Sequence, residues 1–166
     1  AAVCVANRDL WAHGLAPLTW GNVSGITSDR LRVVIKPSGV SYDRLSDRDM
    51  VVVDLAGNVI QGALRPSTDT LTHLAIYRAF PTACGIVHTH SPYATSFAQA
   101  RMEIPCLGTT HADHFHGPIP VTRQLRDDEM SEYEASTGRV IVERFASLDA
   151  ATIPAVLVAG HAPFVW

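Results

Sequence analysis

Cysteine is scarce in this sequence: Cys4, Cys84 and Cys106 are three in number and far apart. That argues against a disulfide framework or a CxxC metal clip, and it points to a reducing, cytoplasmic setting. Long hydrophobic runs are missing too. The longest, such as residues 154–159, fall far short of the roughly 20 apolar residues that cross a bilayer, so a membrane protein is not expected. No basic-then-apolar leader opens the chain, and nothing points to secretion. Nor is there a block of Lys and Arg: 13 basic and 16 acidic residues leave a net charge of −3. A nucleic-acid partner is therefore not expected, and an anionic ligand must be held by a local pocket rather than by a global field. Repeats, linkers and low-complexity segments are absent as well.

What remains is a globular composition, 47% hydrophobic and 17% charged over 166 residues, which suits one domain with a single core spanning the whole chain. The start at Ala-Ala-Val without Met, and the apolar end at Phe164-Val165-Trp166, lead us to expect a longer natural chain, incomplete here at its C-terminus.

The Ala-rich residues 1–13 read as a helix closed by Gly14. Strands are expected over 18–26 and 31–35 around a polar turn, followed by the Lys36-Pro37-Ser38-Gly39 turn. Residues 50–55 and 59–60 form a hairpin pattern across Ala56-Gly57-Asn58. Pro66-Ser67-Thr68-Asp69 has N-cap chemistry ahead of a helix carrying Leu71, Leu74, Ile76 and Tyr77, which stops before Pro81. A buried strand at 84–87 runs into His88-Thr89-His90, and Pro92 opens a helix reaching Ala100. Residues 108–117 are a polar, His-rich connection. Over 126–145 the flanking charges favour helix, although Val140-Ile141-Val142 also suits a strand. A last strand at 155–159 delivers His161. The pattern is a single α/β domain whose sheet is largely antiparallel, because its early connections are hairpins.

Residues two apart on a strand project from one face, so His88 and His90 can present two imidazoles to one ion. His161, at the end of a neighbouring strand, is the natural third ligand, and three protein ligands leave a position open for substrate. Asp69 could add an oxygen ligand or support a histidine from behind. The pattern by itself leaves a plainer alternative open, since eight histidines make a chance HxH unsurprising and a strand-end histidine can serve only in hydrogen bonding. His111, Asp113, His114 and His116 form a rival group in a loop; it reads as substrate-facing or simply solvent-exposed. For an anion, Lys36, Ser38 and Gly39 offer an ammonium, a hydroxyl and an approachable amide. Ser67-Thr68 precede a helix, where free N–H groups and the dipole favour negative charge. Singly, each of these also reads as an ordinary turn or N-cap.

Six blocks occur in order: Thr19-Trp20-Gly21-Asn22-Val23-Ser24, Lys36-Pro37-Ser38-Gly39-Val40, Pro66-Ser67-Thr68-Asp69-Thr70, Ile86-Val87-His88-Thr89-His90-Ser91, Gly108-Thr109-Thr110-His111-Ala112-Asp113 and His161-Ala162-Pro163-Phe164. Together they resemble the class II aldolase/adducin family, and within it the sugar-phosphate 4-epimerase branch, from end to end of the chain. The resemblance implies an α/β/α layered fold and a homotetramer with active sites at subunit interfaces. It implies one Zn2+ per subunit, with Mn2+ or Co2+ as substitutes, held by His88, His90 and His161 with Asp69 at or near the metal. Gly21, Asn22, Ser38, Gly39, Ser67 and Thr68 would bind substrate, chiefly its phosphate, with Lys36 adjoining; Asp113 would be an acid/base. The implied substrate is a phosphorylated ketopentose, L-ribulose 5-phosphate converted to D-xylulose 5-phosphate by retro-aldol cleavage of C3–C4 and re-addition.

Two features favour the epimerase branch: Asp69 stands where aldolases of the family usually carry Glu, and the Thr-Thr-His-Ala-Asp block is characteristic of epimerases. One feature departs. The family's second acid/base is a tyrosine near the C-terminus, expected beyond Trp166, and none of Tyr42, Tyr77, Tyr93 or Tyr133 aligns with it. The rival readings are a class II aldolase releasing dihydroxyacetone phosphate and an aldehyde, a dehydratase of methylthioribulose 1-phosphate, and a non-catalytic adducin-like module. The last would be expected to have lost its metal ligands.

Overall fold

In a computed structural model that describes all of residues 1–166, the chain begins with α1 (Ala2–Ala12). Its end is a Schellman turn: Gly14 N–H donates to Trp11 O and Leu15 N–H to Leu10 O, with Gly14 at φ +69°. There follow β1 (Asn22–Ile26), β2 (Arg32–Ile35), β3 (Val51–Asp54), β4 (Val59–Gln61), α2 (Thr70–Ala79), β5 (Gly85–His88), α3 (Pro92–Ala100), the one-turn α4 (Thr109–Ala112), α5 (Tyr133–Arg144), β6 (Ala155–Leu157) and β7 (Pro163–Val165). No helix is long and apolar enough to cross a membrane.

The seven strands form one sheet in the order β4-β3-β2-β1-β5-β7-β6, and every neighbouring pair is antiparallel. Period-two alternation divides the sheet's two faces. Val33, Ile35, Val51, Val53, Ile86, Val156 and Phe164 point to one side, where they join Leu74, Ile76 and Tyr77 of α2 and Ile141 and Phe145 of α5 in the main core. Val34 and Val23 point the other way. Val34 packs against Cys4, Leu45 and Met50, and Val23 against Leu10, Ala16 and Tyr42. Helices therefore cover the sheet on both sides, as the layered reading expected.

Two local expectations are corrected, and one open alternative is decided. The first strand begins at Asn22 rather than residue 18, because Leu18 (φ +55°) and Gly21 (φ +78°) turn the backbone out of the extended region. The helix favoured over 126–145 is α5, and Val140-Ile141-Val142 belongs to it despite its β-branched side chains. The buried positions Ser136, Thr137, Val140 and Ile141 fall on one helical face against α2, and packing outweighs propensity. The strand ending near Leu157 is not the last. Pro163–Val165 forms β7, which inserts between β5 and β6; three residues, the first a proline, carry too little pattern to be read as a strand.

The α2–α5 contact is close because Gly138 of α5 faces Ala75 of α2: a β-carbon there would sit 2.5 Å from the Ala75 Cβ and 3.4 Å from the Thr72 Cα. Both neighbours belong to a helix packed on the main core and cannot withdraw easily. Gly138→Val is expected to cost about 1–3 kcal/mol of stability by overpacking, read as a lower urea midpoint; an unchanged midpoint would show that the helices can separate freely.

Candidate metal centre and anion pocket

His88 closes β5 and lies in a row across three strands, paired with Asn22 of β1 on one side and Phe164 of β7 on the other. All three side chains face the α2 side. Only 1% of His88 is exposed; its ring stacks on Phe164 at 4.2 Å between centroids, and its Nδ1–H donates to Pro163 O at 2.9 Å. A carbonyl can only accept, so Nδ1 carries the proton and Nε2 presents a lone pair. His90 lies beyond the strand end, where its backbone N–H donates to Leu15 O and its ring packs 5.6 Å from Trp20. Its Nε2 stands 3.1 Å from His88 Nε2. His161 sits in the turn between β6 and β7, its Nδ1 2.9 Å from the Tyr133 hydroxyl oxygen.

The three ring centroids are 4.9, 5.0 and 5.2 Å apart, and one nitrogen from each ring lies within 4.8 Å of the others. Two nitrogens bound tetrahedrally to one ion at about 2.0–2.1 Å stand roughly 3.3 Å apart, close to the His88–His90 separation. Burial pushes all three imidazoles below their ordinary pKa. His161, further depressed by His88 and His90, falls to about 4, while the Asp69 charge partly opposes the shift at each ring. The trio is therefore neutral at neutral pH, the state a metal ion requires of histidine. Donor type, number, protonation and convergence all fit a divalent ion such as zinc.

Asp69 occupies the N-cap position of α2 without capping it. Its Oδ2 accepts from Asn22 Nδ2 at 2.7 Å and from Ser67 Oγ at 3.5 Å. Burial raises its pKa, but His88, His73 and the Asn22 bond outweigh that and hold the carboxyl below its usual range. The carboxylate lines the same cavity but is not part of the cluster of converging nitrogens.

Gly21, Asn22, Lys36, Ser38, Gly39, Ser67 and Thr68 line one cavity of about 420 Å³ together with Asp69 and the three histidines. Backbone bonds from Ser38 N to Arg65 O and from Ser67 N to Lys36 O lash the 36–39 turn to the segment entering α2. Lys36 is 2% exposed; its Nζ donates to Pro37 O and lies 4.7 Å from the centre of the Tyr42 ring. Burial lowers its pKa, and the aromatic face compensates part of the cost of an enclosed ammonium. The Tyr42 hydroxyl lies 2.7 Å from Gly21 O and 2.9 Å from Trp20 O, fixing the opposite wall. Gly21 must be glycine twice over: φ is +78°, and a β-carbon would meet His88 O at 2.8 Å.

Asp113 directly follows α4 and is exposed, outside this cavity. Part of the expected loop is helical, since His111 lies in α4, and His111, His114 and His116 do not join Asp113 in a cluster: His111 Nε2 instead donates to Gly117 O at 2.7 Å. Tyr133 and Glu134, which open α5 and line the cavity, escaped the sequence reading, as did Tyr42. Tyr133 is 28 residues from the histidine it touches, and no local pattern links them.

Residues 1–166 match the model of the class II aldolase and adducin N-terminal domain. The chain belongs to that family. It is 53% identical over 162 residues to L-ribulose-5-phosphate 4-epimerase UlaF of Salmonella paratyphi C (strain RKS4594), covering 97% of this chain and 71% of that protein. Among solved structures, an L-fuculose 1-phosphate aldolase superposes with a TM-score of 0.81 at 25% identity, covering 99% of this chain and 72% of the other. The L-fuculose-1-phosphate aldolase of Thermus thermophilus gives 0.75 at 25% identity, covering 99% and 76%.

Beneath the site, His73 of α2 is fully buried. Its Nδ1 lies 2.7 Å from Ser24 Oγ, which is itself 2.9 Å from the Tyr77 hydroxyl, and burial lowers its pKa to about 3. The folded protein thus keeps His73 neutral where the unfolded chain, titrating near 6.5, takes up a proton. Stability should fall as pH drops below about 6.5, by up to about 1.4 kcal/mol per pH unit from this residue. Urea unfolding at pH 7 and pH 5 should show a smaller loss in His73→Gln than in the wild type; equal losses would remove His73 as the cause.

Proposed function

We propose that this chain is a zinc-dependent L-ribulose-5-phosphate 4-epimerase, interconverting L-ribulose 5-phosphate and D-xylulose 5-phosphate. One observation carries the reading: a single cavity holds three neutral, converging imidazoles and, on its other walls, an anion cradle of Lys36, Ser38, Gly39, Ser67 and Thr68. Such a cavity suits a phosphorylated sugar whose oxygens bind a metal. The 53% identity to 4-epimerases supports the choice of reaction.

C4 of the substrate is not α to its carbonyl, so direct proton abstraction there is unfavourable, whereas breaking and remaking C3–C4 inverts it. His88, His90 and His161 would hold the ion, which supplies Lewis-acid stabilisation of the negative charge left on the three-carbon fragment by that cleavage. Lys36 and the amides and hydroxyls of the cradle grip the phosphate of the two-carbon aldehyde, so that it turns over without leaving. Asn22 steadies Asp69 behind the histidines. Asp113 exchanges the C4 hydroxyl proton on one face, and the tyrosine expected beyond Trp166 would exchange it on the other, since re-addition turns the oxygen to the opposite side. Because Asp113 stands exposed outside its own chain's cavity, it acts in a neighbouring subunit's pocket, in keeping with a homotetramer whose active sites lie at interfaces. Three free cysteines, one buried and two exposed, fit a reducing cytoplasm.

An aldolase is the second reading, favoured by the 0.81 superposition on L-fuculose 1-phosphate aldolase. Free aldehyde released during turnover would select it.

His90→Ala is expected to lose the bound metal and to slow conversion of L-ribulose 5-phosphate roughly a thousandfold, the equivalent of several kcal/mol of Lewis-acid stabilisation. Full activity in that variant, or in chelator-treated protein, would sink the scheme. Asp113→Asn should keep its metal yet lose about 10²–10⁴-fold in turnover. Mixing it with His90→Ala subunits should restore part of the activity, because a hybrid interface pairs an intact Asp113 with an intact metal site.

A further inference from the structure

The three histidines are steadied by different means. His88 is pinned by a strand carbonyl and stacked on Phe164, and His90 is held by its backbone and packs against Trp20. His161 stands in a turn, next to Gly160 at φ +76°, and its ring makes a single polar contact, Nδ1 to the Tyr133 hydroxyl at 2.9 Å. For Nε2 to face the other two rings with a lone pair, Nδ1 must carry the proton. Nδ1–H then donates and the tyrosine oxygen accepts.

The geometry points to Tyr133 as the positioning residue of the third metal ligand: its hydroxyl fixes the tautomer and aim of His161, and so sets the affinity of the centre for its ion. The inference rests on the metal-centre reading above. Tyr133 suits the task because it opens α5, and α5 is locked against α2 through the Gly138–Ala75 contact. The phenol is thus anchored in the helical layer, while the histidine it touches is in a loop. Its ring is half-buried and packs 5.8 Å from the His161 ring, so Tyr133→Phe removes the oxygen and leaves the packing.

Metal affinity is the test, measured by competition with a chromogenic chelator on the purified full chain, using Zn2+ and Co2+ as probes. Tyr133→Phe is expected to weaken binding about 10- to 100-fold, the usual cost of deleting a partner that orients a ligand, and to shift the visible absorption of the Co2+ form. In the His161→Ala background the same substitution should change affinity no further, since it acts through that imidazole. At saturating metal, turnover of Tyr133→Phe should recover most of its loss. Unchanged affinity in Tyr133→Phe, with wild type binding one ion, would overturn the positioning role and leave the metal centre standing. A turnover defect that persists with the ion fully bound would also overturn it, in favour of direct contact with substrate. Failure of the wild type to bind either ion would overturn both readings together.

Discussion

The hydrogen bond from His88 Nδ1 to the Pro163 carbonyl joins the sheet to the chemistry. An imidazole whose Nδ1–H is committed to a carbonyl has only Nε2 left to offer. A ring wedged against Phe164 can offer it in only one direction. Both constraints come from β7, the strand between β5 and β6. The same row brings Asn22 alongside, and through Asn22 the carboxylate of Asp69 at the head of α2. Gly21, one residue earlier, lies so close to the His88 carbonyl that no side chain fits between them. Strand register, the start of a helix and the floor of the cavity thus meet at one histidine.

The anion side is built on a comparable economy. Lys36 follows β2, and Tyr42 lies beneath it. One aromatic residue therefore supports the buried ammonium with its face and the Trp20-Gly21 wall with its hydroxyl. Enclosing a lysine is costly unless its charge meets another charge or a polarisable surface. Here the ammonium makes one hydrogen bond, to Pro37 O, and lines the cavity. The 36–39 turn and the residues preceding α2 are bonded backbone to backbone, so the two halves of the cradle keep a fixed spacing.

Most of the fold was legible because its signals are local. Gly14 after an alanine-rich helix, Pro92 at the start of another, the Ala56-Gly57-Asn58 turn and the alternation along β2 and β3 each state their structure within a few residues. His88, His90 and His161 were legible as candidates for the same reason, and the ordered motifs bound them into one expectation. The strand period explains their meeting only in part, however, since His90 lies past the strand end and is turned inward by its bond to Leu15. β7 was missed because it owes its extended form to two neighbouring strands rather than to its own three residues. Tyr133 was missed because its contact with His161 is tertiary; it opens a segment whose secondary structure was itself ambiguous. Asp113 is a candidate from the motif alone, and nothing in the sequence told that it would stand outside the cavity of its own chain.

The position of β7 also has a meaning in time. The bond between His88 and Pro163 closes a loop of 75 residues, and contacts of such span form late, after local turns and helices have already reduced the search. The hairpins joining β1 to β4 are local, and His88 and His90 are two residues apart, but the third imidazole is in place only when β7 fills the gap between β5 and the edge strand β6. Until then the pair offers an ion two nitrogens and no enclosure. Any ligand that needs all three imidazoles at once can be held only when that seam is closed, so the site is finished by the last of the seven strands.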